Sequence, residues 1–279
     1  MKPAQVGGVE YDARIRRAEH LASQHPFAAE VLRFYSRIAE FQKSFQSQIK
    51  AELGTQLAGR MPGSLRIDVP SVPPERLLSH FASFLRVIEQ AGPSALAAAA
   101  REIPRLDAVS KLSLLESYWE VGGANDQLIG AFAQFIPRAF EQPVAELIAA
   151  STPVGPVIST QHRCPHCGGQ PFLGVLRPEG DGGKRRMLCS FCLQEWDFRR
   201  IYCPACGEED EKKLPVYVAE QFPHIRVEAC ESCKVYVRTI DLTKDGNAVP
   251  VVDDLAAIPL SLWAHERGYT RLRPNLLGT

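Results

Sequence analysis

The chain has no surplus charge. Its 32 Lys and Arg are matched by 32 Asp and Glu, which gives no electrostatic reason to expect nucleic acid or an anionic membrane as partner. No apolar run approaches the ~20 residues of a membrane span. Met1-Lys2-Pro3-Ala4-Gln5 leads into no hydrophobic segment of the secretory kind. Arg16-Arg17 is a twin arginine, but charged and polar residues follow it, so it reads as helix surface. There is no Walker loop, no glycine-rich dinucleotide turn behind a strand, no Gly-x-Ser-x-Gly elbow and no His-Glu-x-x-His. The seven histidines are scattered. Cysteine is missing before residue 164 and after residue 233. These absences point away from an enzyme and towards a cytoplasmic protein with reduced thiols.

All eight cysteines fall between those limits, as four Cys-x-x-Cys pairs: Cys164/Cys167, Cys189/Cys192, Cys203/Cys206 and Cys230/Cys233. A Cys-x-x-Cys loop points two thiolates at one ion, and two loops complete a tetrahedral sulfur cage. Eight ligands therefore suggest two four-cysteine sites. The first and third loops read Cys-Pro-x-Cys-Gly; the second and fourth lack that Pro and Gly. The pattern of a Pro/Gly knuckle, a spacer of about twenty residues and a plain knuckle thus occurs twice. Glycine after the second ligand allows a positive φ that turns backbone N–H groups towards sulfur. The repeat favours sequential pairing, Cys164, Cys167, Cys189 and Cys192 in one site and Cys203, Cys206, Cys230 and Cys233 in the other. The rival is an interleaved arrangement, first loop with third and second with fourth. Four thiolates suit zinc or iron equally.

Before residue 150 the hydrophobic period is helical. Phe27, Val31, Phe34, Ile38, Phe41, Phe45 and Ile49 form one stripe behind Pro26. Leu77, Leu78, Phe81, Phe84, Leu85 and Ile88 form another, ended by Gly92-Pro93, and Gly59 to Pro74 is a loop. Further helices are expected over Leu106–Glu120, closed by Gly122-Gly123, over Asn125–Phe140, kinked or ended by Pro137, and over Gln142–Ala150. Ser151 to Ser159 marks a boundary. Short strands follow at Phe172–Leu176, Arg185–Leu188, Glu195–Ile201, Pro215–Ala219, Arg226–Glu228 and Val235–Thr239, with Arg177–Lys184 as a hairpin turn. Helix resumes at Asp253-Asp254, acidic residues at a favourable end, and Pro259 is a potential break. The expected architecture is multi-domain, α plus small β. It has an all-α bundle over 1–155, two tandem rubredoxin- or zinc-ribbon-like units over 156–200 and 201–245, and a helical tail over 246–279.

Zinc ribbons often bind nucleic acid, yet Cys164 to Ile240 holds eleven basic and eleven acidic residues, whereas a phosphate-tracking surface is basic on balance. His166 lies between two ligands and should point away from the metal. His162 reads as decoration of the linker, and Trp196 as a shield over the sulfurs.

Five stretches carry a resemblance: Cys164-Pro-His-Cys-Gly-Gly-Gln-Pro171, Leu188-Cys-Ser-Phe-Cys-Leu-Gln-Glu-Trp196, Cys203-Pro-Ala-Cys206, Glu228-Ala-Cys-Glu-Ser-Cys-Lys-Val-Tyr236 and Asp253-Asp-Leu-Ala256. In order and spacing they resemble the FdhE family of formate dehydrogenase accessory proteins over roughly residues 160 to 257. The resemblance implies a cytoplasmic, non-enzymatic factor needed for active respiratory formate dehydrogenase. It also implies iron binding, two ions with the eight cysteines as ligands, and contact with the enzyme's catalytic subunit, which carries molybdopterin and an iron–sulfur cluster, before export. It implies no particular client-contact residue. A rubredoxin-like electron carrier and a nucleic-acid-binding ribbon are the alternatives.

Overall fold

The computed structural model describes residues 10–53, 74–121, 131–151, 160 and 162–278. The loop expected over Gly59–Pro74, the stop at Gly122-Gly123 and the boundary within Ser151–Ser159 fall almost wholly outside them. The described N-terminal part is helical: α1 (Tyr11–Gln24), α2 (Ala29–Leu53), α3 (Pro74–Ala91), α4 (Ser94–Glu102), α5 (Ala108–Val121) and α6 (Ala131–Ser151). The α2 stripe supplies Phe34, Ile38, Phe45 and Ile49 to the core, where they meet Phe81, Phe84 and Ile88 of α3 and Phe140 of α6. Phe27 departs from the stripe and is 56% exposed. It sits in a short 3-10 turn, Pro26–Ala28, ahead of α2, where the 3.6-residue period does not apply.

The two helices expected on either side of residue 141 are one. Helix α6 runs through both Pro137 and Pro143. Proline has no N–H for the carbonyl four residues back, and for Pro143 that carbonyl is Ala139. Gln42 Nε2 donates to Ala139 O at 2.6 Å, and Gln46 Nε2 donates to Pro143 O at 3.1 Å. The break in the ladder is repaired from α2, a remedy invisible to a local reading of α6.

Beyond residue 170 come β1 (Pro171–Glu179), β2 (Gly182–Cys189), β3 (Glu195–Asp197), β4 (Val216–Ala219), β5 (Phe222–Ala229) and β6 (Val235–Asp241). Two helices, α7 (Pro250–Ala256) and α8 (Ile258–Glu266), and a short β7 (Thr270–Arg271) follow. Strands β1 and β2 run to Glu179 and from Gly182, so the hairpin turn is tighter than the sequence suggested. Strand β3 stops at Asp197, short of Ile201. The break near Pro259 separates α7 from α8, with the proline in the first turn of α8, where it costs no hydrogen bond.

Each cysteine-bearing half contributes an antiparallel meander, β3-β2-β1 and β6-β5-β4. The halves are fused into one sheet by parallel pairing of β1 with β6, from Leu173 opposite Arg238 to Leu176 opposite Asp241. Gly174 makes the approach possible: a Cβ there would lie 2.2 Å from Thr239 Oγ1. Strand β6 alternates across the sheet. Tyr236 and Ile240 join Leu260 and Ala264 of α8 on one side, while Val237 joins Ala145 and Ala149 of α6 on the other. The sheet is thus held between the helical region and the C-terminal helices.

Buried charge locks these layers. Arg14 of α1 makes a two-pronged pair with Glu146 of α6 at 3.0 and 2.7 Å. Arg17, expected on the surface, is 11% exposed and grips Asp253 and Asp245. Asp253 and Asp254 are inside, not simply at a helix terminus. Asp254 receives Arg238, Arg271 and Asn275 at 2.7–2.8 Å. Burial pushes the Asp254 carboxyl up, but Arg238 and Arg271 outweigh it and hold it below the usual carboxylate range.

Candidate metal centres

Each knuckle is a six-residue loop closed on itself. The N–H of its first cysteine donates to the carbonyl five residues on: Cys164 to Gly169, Cys189 to Gln194, Cys203 to Glu208 and Cys230 to Val235, all at 2.8–3.0 Å. The residue after the second cysteine takes a positive φ in every case. Glycine fills it twice, Gly168 at 73° and Gly207 at 81°, as the sequence suggested. The plain knuckles adopt the same turn without glycine, Leu193 at 51° and Lys234 at 57°. A non-glycine residue held there is strained by on the order of 1–2 kcal/mol, so the four-knuckle geometry overrides local preference.

The loops meet in sequential pairs. Cys164, Cys167, Cys189 and Cys192 form one group and Cys203, Cys206, Cys230 and Cys233 another, with the sulfurs of each group within 4.8 Å of one another. The interleaved arrangement is not what the fold produces. In the first group Cys164 Sγ lies 3.6 Å from Cys192 Sγ, and Cys167 Sγ 3.4 Å from Cys189 Sγ. In the second the corresponding distances are 3.8 Å for Cys203–Cys233 and 3.7 Å for Cys206–Cys230. A disulfide needs about 2.05 Å. A tetrahedron with metal–sulfur bonds of about 2.3 Å has edges of about 3.8 Å, so both donor sets fit one tetrahedral ion each. Backbone N–H groups already face the sulfurs: Gly169 N donates to Cys167 Sγ and Phe191 N to Cys189 Sγ, both at 3.4 Å.

Four thiols in contact cannot all ionise without a cation. In the first group burial opposes charge on Cys189, but hydrogen bonds from Cys164, Cys167 and Cys192 hold its thiol well below the ordinary value. Its neighbours go the other way: hydrogen bonding to Cys164 and Cys189 pushes the Cys167 thiol up, and burial does the same to Cys192. In the second group burial pushes the Cys203 thiol up to about 11. A divalent ion relieves this conflict in both groups.

Surroundings differ. Ala145, Ala149, Phe191, Trp196 and Phe198 enclose the first group, so Trp196 belongs to its shield. His166 turns away, its Nδ1 3.3 Å from Ala149 O. His162 is no linker decoration: its Nδ1 lies 2.7 Å from Pro204 O, inside the second group's first knuckle. In the second group Cys206 is exposed. There Ser232 Oγ donates to Glu208 Oε2 at 2.5 Å, and this bond leads the causes that draw the Glu208 carboxyl down to about 2. Arg185, which no motif singles out, spans both surroundings. It donates to Arg199 O and Tyr202 O at 2.8 and 3.1 Å and pairs with Glu228 at 2.6 Å. A third cluster, His224, Asp245 and Asp253, has metal-like composition, but the Arg17 guanidinium already bridges its carboxylates.

Fold and centres together define a class: a helical platform carrying two tetrathiolate knuckle units on one shared sheet. Residues 163–200 match the family model "FdhE, central domain" and residues 201–277 match "FdhE, C-terminal domain". A "Protein FdhE homolog" of Aquifex aeolicus is 27% identical over 276 residues, 96% of this chain and 95% of its own length. One of Pseudomonas aeruginosa is 37% identical over 132 residues, 44% of this chain and 42% of its own. The crystal structure of the FdhE protein from Pseudomonas aeruginosa shares the fold, with a TM-score of 0.68 and 24% identity over 97% of this chain and 96% of that one. The chain is thus similar to FdhE proteins along nearly its whole length, and its cysteine-bearing part, residues 163–277, matches two FdhE family models. Among the described residues no helix is long and apolar enough to cross a membrane.

Proposed function

We propose that this protein is a cytoplasmic maturation factor that binds the catalytic subunit of a respiratory formate dehydrogenase and is required for its activity, without being an enzyme. The observation that carries the reading is similarity to an FdhE homologue along nearly the whole chain, together with both cysteine groups drawn into tetrathiolate geometry. The eight cysteines hold two ions, iron in the first instance and zinc as the substitute. Bound iron supplies a one-electron change of oxidation state that zinc does not. The chain's own part is to fix the knuckles and exclude water from the first centre. Four thiolates complete a tetrahedron and leave no position for a substrate, which suits docking better than Lewis-acid catalysis.

The test is deletion of the gene, followed by a dye-linked assay of formate oxidation beside an immunoblot for the enzyme. Enzyme present with activity lost is the expected result; normal specific activity overturns the reading. A rubredoxin-like carrier is the second reading, favoured by the exposed Cys206. Rapid cycling of iron-loaded protein with a physiological donor would support it.

A further inference from the structure

We infer that the two centres are built as a coupled pair, with His162 and Tyr202 as the link that passes order from the first centre to the second. The inference rests on the reading that each cysteine group takes up a metal.

His162 is two residues ahead of Cys164, and Tyr202 immediately precedes Cys203. The Pro204 carbonyl accepts a hydrogen bond from His162 Nδ1 at 2.7 Å. A carbonyl only accepts, so Nδ1 carries the hydrogen of this contact, and Nε2 faces the Tyr202 hydroxyl 3.4 Å away. The rings also touch, with centroids 5.5 Å apart. Tyr202 packs against the cluster around the first centre, edge-on to Phe198 at 5.7 Å. Its hydroxyl also reaches the second centre, lying 3.1 Å from where a Cβ on Gly207 would be. Arg185 pins the intervening backbone through the carbonyls of Arg199 and Tyr202.

The chemistry of such sites gives these contacts direction. Closing four thiolates on an ion orders the loops that carry them, and that ordering is part of the binding free energy. Filling the first centre fixes the approach to Cys164, and with it the imidazole that donates to Pro204. The first knuckle of the second centre is then ordered before its own metal arrives, which lowers the cost of binding there. His162 and Tyr202 are positioning residues in this scheme and touch no metal.

The experiment uses the full chain with Cys206→Ser and Cys233→Ser, so that zinc fills only the first centre. Zinc content is measured, and amide exchange at 205–207 is compared with and without zinc. Exchange should slow roughly tenfold on zinc loading, the scale of a modest coupling between sites. Adding His162→Ala should abolish the slowing while zinc uptake stays at one equivalent; His162→Asn, which restores a side-chain N–H, should recover part of it. Tyr202→Phe, which removes only the hydroxyl link, should reduce the slowing and stands in if His162→Ala does not fold. Equal exchange with and without zinc overturns the coupling, and so does slowing that survives both His162→Ala and Tyr202→Phe. Absence of zinc uptake speaks instead against the metal reading on which the inference rests.

Discussion

In the first centre Cys164, Cys189 and Cys192 are buried and Cys167 is half-buried, beneath Phe191, Trp196 and Phe198. In the second Cys206 is exposed and Cys233 half-buried, and the neighbours are polar: Glu208, Ser232, Lys213 and the pair Glu231–Lys234. The knuckles are the same and the sulfur distances nearly the same, but the settings differ: Cys203 and Cys230 of the second centre are buried, while its other two cysteines face a polar surface. The first centre is part of a hydrophobic core that also includes α6. The second sits on β5 and β6, and β6 is fixed from behind by the Arg238–Asp254–Arg271 charges. One motif has been placed in two physical roles, a core element and a surface element.

The largest effect should come from breaking the core one. Cys192→Ser removes a site whose metal is worth on the order of 10 kcal/mol to folding in small structural sites. It is expected to lose one metal equivalent and the cooperative thermal transition together. Cys206→Ser should lose one equivalent yet keep a transition from the helical region, read by calorimetry beside metal analysis. A chelator added to wild-type protein should remove one equivalent well before the other. Equal behaviour of the two variants would erase the distinction.

Asp254→Ala comes next. It leaves Arg238 and Arg271 buried without their carboxylate, a loss of about 3–5 kcal/mol, which denaturant unfolding would read. Because the folded Asp254 carboxyl titrates below its ordinary value, its contribution is present above the usual carboxylate pKa of 3.8. That contribution disappears as pH falls through the lower folded value. Acid titration of wild type and variant should therefore converge at low pH.

A smaller loss, about 1–3 kcal/mol, is expected for Gly174→Val, which forces a side chain into Thr239 across the β1–β6 pairing. Exchange at the β1 and β6 amides should rise together. The smallest effect has the opposite sign: Lys234→Gly should raise stability by up to about 1 kcal/mol, because glycine relieves the positive φ and the exposed Lys234–Glu231 pair contributes little. Leu193→Gly should show no such gain, since the Leu193 side chain is buried.

The cysteine spacing made both centres legible, and the internal repeat made their pairing legible, because a knuckle is a local object whose turn is specified within six residues. Helices α2 and α3 were legible for the same reason. What escaped the sequence depends on distant partners. Gln42 repairs the Pro143 break from 97 residues away, Arg17 finds Asp253 across 236 residues, and His162 reaches Pro204. Strand pairing between β1 and β6 has no local sign at all beyond a lone glycine.

That pairing sets a timetable. By residue 192 a growing chain holds all four cysteines of the first group, but β6 begins only at Val235. At ~5–20 residues per second of synthesis, the interval from Cys189, where β2 ends, to Val235 lasts roughly two to nine seconds. Throughout it, β1 has β2 on one side and a row of unpaired amides on the other. An open edge of that kind pairs readily with another chain. The nascent protein therefore passes through a stage at which its first centre can be metallated while its sheet is unfinished, and a chain truncated near residue 200 would remain there.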